Sequence, residues 1–343
     1  MLDHLFLCGL GPTQRAGYEG GRELHLHGTK QNLRLQMDNV RSWLSEVEPA
    51  LLTDLVEVAT YVFAADNLVS RGGDAFKNMG EAWRRRIRLV IAVRRPGIWK
   101  EPQHLHVLCQ ALRFLSEDSW DFEFVMLEDP PSLQGYLMFA REVDAARSAT
   151  IVPFSGGLDS YAGAVHELCA SDRHVILLSR RIGGMTDRAQ RELANELKAR
   201  HPGRVTFVPV SAGLTDETKA VEHTQRTRSF LLTAMALAAA EFEAADRIRF
   251  YENGIMSANL PISTQVVGAR CSRSESATRS RHIKALAEKS SLHLIRGVGA
   301  QALTATAGSS CSARRMRFGR AMPSRSMSAA WAASGWVTQR SRI

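Results

Sequence analysis

Six residues near the middle of the chain, Ser155-Gly156-Gly157-Leu158-Asp159-Ser160, have the types and spacing of a phosphate site. Paired glycines let backbone N–H groups approach an anion closely, and a helix that starts behind them points its positive end at it. Ser155 and Ser160 add hydroxyls. Asp159 adds a carboxylate where the Mg2+ that accompanies a nucleotide needs one. The flanks supply the geometry. The apolar run Ile151-Val152-Pro153-Phe154 predicts a strand leading in, and Tyr161 to Ala170 predicts a helix leading out.

The common nucleotide loop, G-x-x-x-x-G-K-[ST], is excluded because no lysine lies near Gly157. S-G-G-x-D-S behind a strand resembles instead the signature of the PP-loop ATP pyrophosphatases. That resemblance implies cleavage of ATP between its α and β phosphates, adenylation of a substrate and release of pyrophosphate. A bland reading of the same residues is a glycine turn in any α/β protein.

Further candidates lie downstream. Thr224-Gln225-Arg226-Thr227-Arg228-Ser229 opens a long apolar helix. Arginines at a helix start oppose the macrodipole, so Arg226 and Arg228 need another reason to be there. Contact with phosphate oxygens and charge stabilisation on departing pyrophosphate is one such reason, and a solvated charged turn is the other. Glu252-Asn253-Gly254 follows a predicted strand and offers a carboxylate, an amide and a glycine to ATP, Mg2+ or a second substrate; a plain turn is the alternative. Ser179 ends another strand, where backbone groups would meet adenosine. Asp187 and Arg188 read as capping and surface charge. Cys169 reads as a small core residue within the first helix, not a nucleophile.

These residues need elements to position them. From Thr150 to about Gly268 strands and helices alternate. Strands are expected over Ile151–Phe154, His174–Ser179, Arg204–Val210 and Arg247–Tyr251, and helices over Tyr161–Ala170, Thr186–Arg200 and Thr227–Ala245. That order predicts an α/β fold with a doubly wound parallel sheet, whose ligands sit beyond the carboxyl ends of its strands. Residues 1–149 predict a mixed α+β accessory domain. Its strands are expected at Leu24–His27, Leu33–Leu35, Ile87–Val93 and Phe122–Met126, and its helices over Ser45–Val69 and Pro102–Leu115. His25 and His27 would share a strand face there, as an exposed polar pair.

Composition separates a third segment. The net charge is +9, but residues 271–343 hold 13 Lys and Arg against two acids, leaving 31 basic and 33 acidic residues in 1–270. A near-neutral body disfavours nucleic acid as a partner. The segment is also rich in Ser, Ala and Arg and contains no Asp. Such bias reads as disorder, or as the product of a shifted reading frame in a GC-rich gene, or as a basic arm. The nucleotide domain, taken as 150–270, is then incomplete. The five scattered cysteines argue for a reducing compartment. With no 18-residue apolar run and no good signal peptide, a cytoplasmic location without membrane contact is expected.

Within the PP-loop group the chain resembles 7-cyano-7-deazaguanine synthase (QueC) of queuosine biosynthesis, and most of all the QueC-like QatC component of the Qat antiphage systems. The likeness covers about residues 40–270. It rests on the loop with Phe154, on Arg226-Thr227-Arg228-Ser229, and on Tyr251-Glu252-Asn253-Gly254 followed by Asn259-Leu260-Pro261-Ile262-Ser263. Tyr61 to Asp66 and Trp83-Arg84-Arg85 add to it. The resemblance implies ATP and Mg2+ as cofactors and a carboxylate acceptor, either a deazaguanine-type base or a partner protein. Ser155, Gly156, Gly157, Leu158 and Ser160 would then cradle phosphate. Asp159 would act with Mg2+, and Arg226 and Arg228 would contact phosphate. The cysteine-rich zinc site of QueC is not expected, because only Cys271 and Cys311 follow Gly254. A non-catalytic ATP-binding subunit of a defence complex and a tRNA-modifying PP-loop enzyme are the competing readings.

Overall fold

The computed structural model describes residues 3–40, 49–71, 84–128, 130, 137–139, 148–215, 217–243 and 245–251. In chain order the elements are β1 (Asp3–Cys8), α1 (Pro12–Arg15), β2 (Arg22–Leu24), β3 (Leu33–Val40), α2 (Pro49–Leu68), β4 (Arg86–Val93), α3 (Pro96–Trp99), α4 (Pro102–Ser116), β5 (Ser119–Met126), β6 (Leu137–Phe139), β7 (Ala149–Pro153), α5 (Leu158–Ala170), β8 (His174–Arg180), α6 (Gly184–Arg200), β9 (Val205–Leu214), α7 (Arg228–Phe242) and β10 (Arg247–Ile248).

The strands form two sheets in an α/β fold. The first, in the order β2-β1-β4-β5, is wholly parallel. The second runs β10-β7-β8-β9-β3-β6. Its β10, β7, β8 and β9 are mutually parallel, while β3 pairs antiparallel with β9 and parallel with β6. Strands β7 and β8 are near-continuous apolar runs because helices cover them from both sides. On one face Val152, Phe154, Val175 and Leu177 pack against Ala164 and Leu168 of α5 and Ala194 and Leu197 of α6. On the other face Ile151, Ile176, Leu178 and Val208 join a larger core with α7 and α2.

That larger core also takes in Ile87, Leu89 and Ile91 of the first sheet. Helices α2 and α7 therefore lie between the two sheets, which explains why both are apolar nearly all round rather than striped.

Three expectations change. The second sheet is mixed, not purely parallel, because β9 runs ten residues. Val205–Val210 pairs with β8, and the strand continues through Leu214 to pair with β3. Residues 1–149 hold a parallel sheet instead of a mixed α+β arrangement. One of its two inner strands, β1, lies at Asp3–Cys8, where no strand was expected. Residues on both sides of 149/150 share the second sheet through β3 and β6. Finally, Cys169 is exposed on α5 rather than packed in the core.

Smaller differences lie at strand ends. Strand β2 stops at Leu24, so His25 and His27 follow it and face Glu23 and Glu57, at 3.1 and 3.6 Å. Strand β10 is only two residues long. No helix among the described residues is long and apolar enough to cross a membrane.

Candidate functional site

In the second sheet the chain runs from β7 outward through β8 to β9, then crosses back to place β10 on the other side of β7. Helices α5 and α6 serve the first direction and α7 the second, on opposite faces. The carboxyl end of β7 is thus the point where the strand order reverses, which is where open α/β sheets form a ligand crevice. The turn Ser155–Gly157 begins there.

The local chain explains the turn. Phe154 stays in the sheet, its N–H donating to Leu178 O at 2.7 Å, with the ring buried against α5 and α6. Gly156 then reverses direction with φ +77, in the left-handed region that glycine tolerates. Gly157 caps α5, and Tyr161 N–H donates to Gly157 O at 3.0 Å. The amides of Leu158, Asp159 and Ser160 precede that first helical bond and have no partner within the helix.

Two serines close the loop. Gly157 N–H donates to Ser155 Oγ at 3.3 Å, and the Ser160 hydroxyl donates to Gly157 O at 3.0 Å. The Ser155 hydroxyl is then the donor in its 3.1 Å contact with Ser160 Oγ. Both hydroxyl protons are spent inside the loop, so the donors that remain are the first backbone amides of α5. Ser160 is buried, whereas Ser155, Leu158 and Asp159 are exposed.

The loop is pinned by a residue that sequence reading passed over. Gln190 of α6 donates Nε2–H to Ser155 O at 3.1 Å, and a Cβ on Gly156 would come within 3.0 Å of Gln190 Cγ. Its signal was present: Gln190 sits in the 190, 193, 194, 197 stripe that α6 buries, a polar residue in an otherwise apolar row.

Ser179 is fully buried, and its Oγ has no hydrogen-bond partner among the described residues. Alternation along β8 turns it toward the α5–α6 face, since Leu177 faces that way and Leu178 the other. Backbone pairing sets it beside Pro209, one position beyond the end of β7. Arg180, the next residue, points to the opposite face, with its guanidinium carbon 4.6 Å from the Phe63 ring centroid of α2.

Arg226 and Arg228 flank Thr227, and Thr227 is held from a distance. Asp66 Oδ2, on α2, accepts from Thr227 N–H at 3.0 Å and from Thr227 Oγ1 at 2.9 Å. Asp66 also pairs with Arg85 and Arg71, which share Asp118 as well. All four side chains are buried. Burial opposes the charge on Asp66, but Arg85 and Arg71 outweigh it and hold the carboxyl below its ordinary range. Arg226 stands in the same field: burial and Arg71 lower its pKa, against Asp66, Glu117 and Asp118. The helix start that looked electrostatically wrong is therefore answered in part by acids from α2 and the α4–β5 turn.

Glu252, Asn253 and Gly254 lie outside the described residues, as do the Asn259–Ser263 run and residues 271–343 with the readings made of them. The last described residue, Tyr251, lies against α5. Its hydroxyl hydrogen-bonds Glu167, and Gly163 makes room for its ring, since a Cβ there would overlap it.

Among the described residues no three His, Cys, Asp or Glu side chains gather as a metal-binding group. A site that keeps Mg2+ through one carboxylate, phosphate oxygens and water needs no such group.

In its described part the chain is an α/β protein with a glycine loop at the switch point of its second sheet. No protein-family model, curated protein or solved structure matches it.

Proposed function

We propose that the chain is an ATP-binding protein of the PP-loop, QueC-like type, cleaving ATP to AMP and pyrophosphate to adenylate an acceptor carboxylate in antiphage defence. One observation carries this reading: the Ser155–Ser160 loop sits at the carboxyl end of β7, where the strand order reverses, and opens directly into the N-terminus of α5.

The residues fit a phosphate chain. Gly156 and Gly157 leave the backbone bare, and Leu158, Asp159 and Ser160 offer amides at a helix N-terminus. Asp159, exposed in the first turn of α5, would hold Mg2+ together with phosphate oxygens. Bound ATP supplies the α-phosphorus as electrophile and pyrophosphate as leaving group. The protein's share is positioning and stabilisation of developing charge. The acceptor is a deazaguanine-type base or a partner protein, and the setting in defence rests on the QatC resemblance.

The test is calorimetric titration of the protein with ATP and Mg2+, followed by an assay of pyrophosphate release. Binding and release are expected in the wild type, with release at least ~100-fold slower in Asp159→Ala. No ATP binding would end the nucleotide reading. Binding without pyrophosphate release, from wild type and variant alike, would leave an ATP-binding subunit and remove the catalytic one.

A further inference from the structure

The glycine loop and the helix behind it are held from two directions. Gln190 of α6 pins the loop itself. From the β10 side, the chain that leaves the sheet closes on α5. Strand β10 pairs parallel with β7, Arg247 opposite Thr150 and Ile248 opposite Ile151, and Arg249 N–H donates to Ile151 O at 2.9 Å. Tyr251 stands three positions beyond Ile248, as Phe154, which leads into the loop, stands three beyond Ile151.

Three contacts seat Tyr251. Its ring lies in a notch on α5 that exists because residue 163 is glycine, since a Cβ there would overlap the ring. Its hydroxyl donates to Glu167, one turn further along the helix. His166 meets the ring edge-on, with centroids 6.3 Å apart. Gly163 and Glu167 are i and i+4, and they share the buried stripe of α5 with Ser160, whose hydroxyl closes the loop.

A glycine inside a helix and a buried carboxylate are each unfavourable alone. Here one residue answers both. The ring fills the notch, and the hydroxyl, together with Arg249 Nε at 3.6 Å, meets the Glu167 carboxylate. Burial and that carboxylate push the Tyr251 phenol above its ordinary value, so it remains the donor.

We propose that Tyr251 is a positioning residue for the glycine loop: seated on Gly163 and Glu167, it fixes α5 against β7 and thereby the amides of Leu158, Asp159 and Ser160. That these amides meet ATP phosphate rests on the nucleotide reading above. Misplacing a positioning group by about 1 Å costs as much as ~100-fold, so the seat of the helix matters to the loop.

Two measurements on the full chain test this: hydrogen exchange across α5 without nucleotide, and calorimetric titration with ATP and Mg2+. Tyr251→Ala is expected to speed exchange of the first hydrogen-bonded amides of α5, from Tyr161 on, at least ~10-fold, and to weaken ATP binding at least ~10-fold. Tyr251→Phe, which keeps the ring, should fall between. Glu167→Gln still accepts the hydroxyl and should stay nearest the wild type. Val205→Ala is the control. It trims the same core from β9, two strands away from β7, and should lower the unfolding midpoint without either change.

Where the wild type binds ATP, the proposal is overturned if either measurement on Tyr251→Ala matches the wild type. It is also overturned if Val205→Ala, at a comparable loss of midpoint, reproduces both changes. If Tyr251→Ala does not fold, Tyr251→Phe decides by the same criteria. If the wild type binds no ATP, the exchange arm decides alone: protection of α5 that depends on Tyr251 keeps the positioning role while the nucleotide reading falls, and exchange that does not depend on Tyr251 ends both.

Discussion

Gly156 decides whether the loop exists. Its φ of +77 strains any side chain, and a Cβ there would sit 3.0 Å from Gln190 Cγ, so that Gln190 would have to shift. A non-glycine residue held in that region loses on the order of 1–3 kcal/mol. Gly156→Ala is therefore expected to lower the stability measured by urea unfolding by that amount, and to weaken ATP binding more than the fold. A variant that keeps wild-type ATP affinity would mean that phosphate does not bind against this turn. The glycine turn and the aspartate in the first helical turn were legible in sequence because each role is local, whereas the serines, read there as hydroxyl donors to phosphate, close the loop on itself. Gln190 was legible only as a polar residue out of pattern.

The element that most needs outside help is α7. Its N-cap, Thr227, makes no side-chain bond to its own helix; the hydroxyl goes to Asp66, and Asp66 is held by Arg85 and Arg71. The start of α7 is thereby tied to the end of α2, the start of β4 and the turn before β5. Removing one acid leaves two buried guanidinium charges sharing a single carboxylate, and breaking a buried charge cluster typically costs about 3–5 kcal/mol. Asp118→Ala is expected to fall in that range by urea unfolding. Asp121→Ala, which loses an exposed partner of Arg88, should stay within about 1 kcal/mol of wild type. Equal losses in the two variants would mean that the buried cluster does not hold the elements together.

Across the whole molecule, two sheets share α2 and α7 as a common filling, and the burial this imposes reaches Glu241 near the end of α7. Burial raises its carboxyl from the ordinary 4.5 to about 7. The folded state then binds this proton more tightly than the unfolded chain does between those two values. Stability should accordingly fall as pH rises from about 4.5 to about 7 and level off above, as far as this group is concerned. Glu241→Gln is expected to remove that part of the pH dependence and to raise the midpoint at pH 8 relative to wild type, with the difference fading below about pH 5. Parallel pH profiles for the two proteins would show that Glu241 is solvated in the folded state.

The sequence by itself determined what depends on neighbours in the chain. The glycine turn between Phe154 and Tyr161, the alternation of strand and helix after Thr150 and the burial of α7 all follow from residue order. Local backbone preference and hydrophobic period act over a few residues, so a window of the chain contains them. The tertiary structure decided what depends on distant partners. Leu33 pairs with Leu214, which turns a parallel sheet into a mixed one. Asp66 caps a helix 161 residues away. Strand β1 becomes an inner strand of its sheet because β2 and β4 pair with it on either side. Backbone pairing and buried charge are satisfied by whichever segment arrives, and only the folded chain brings those segments together.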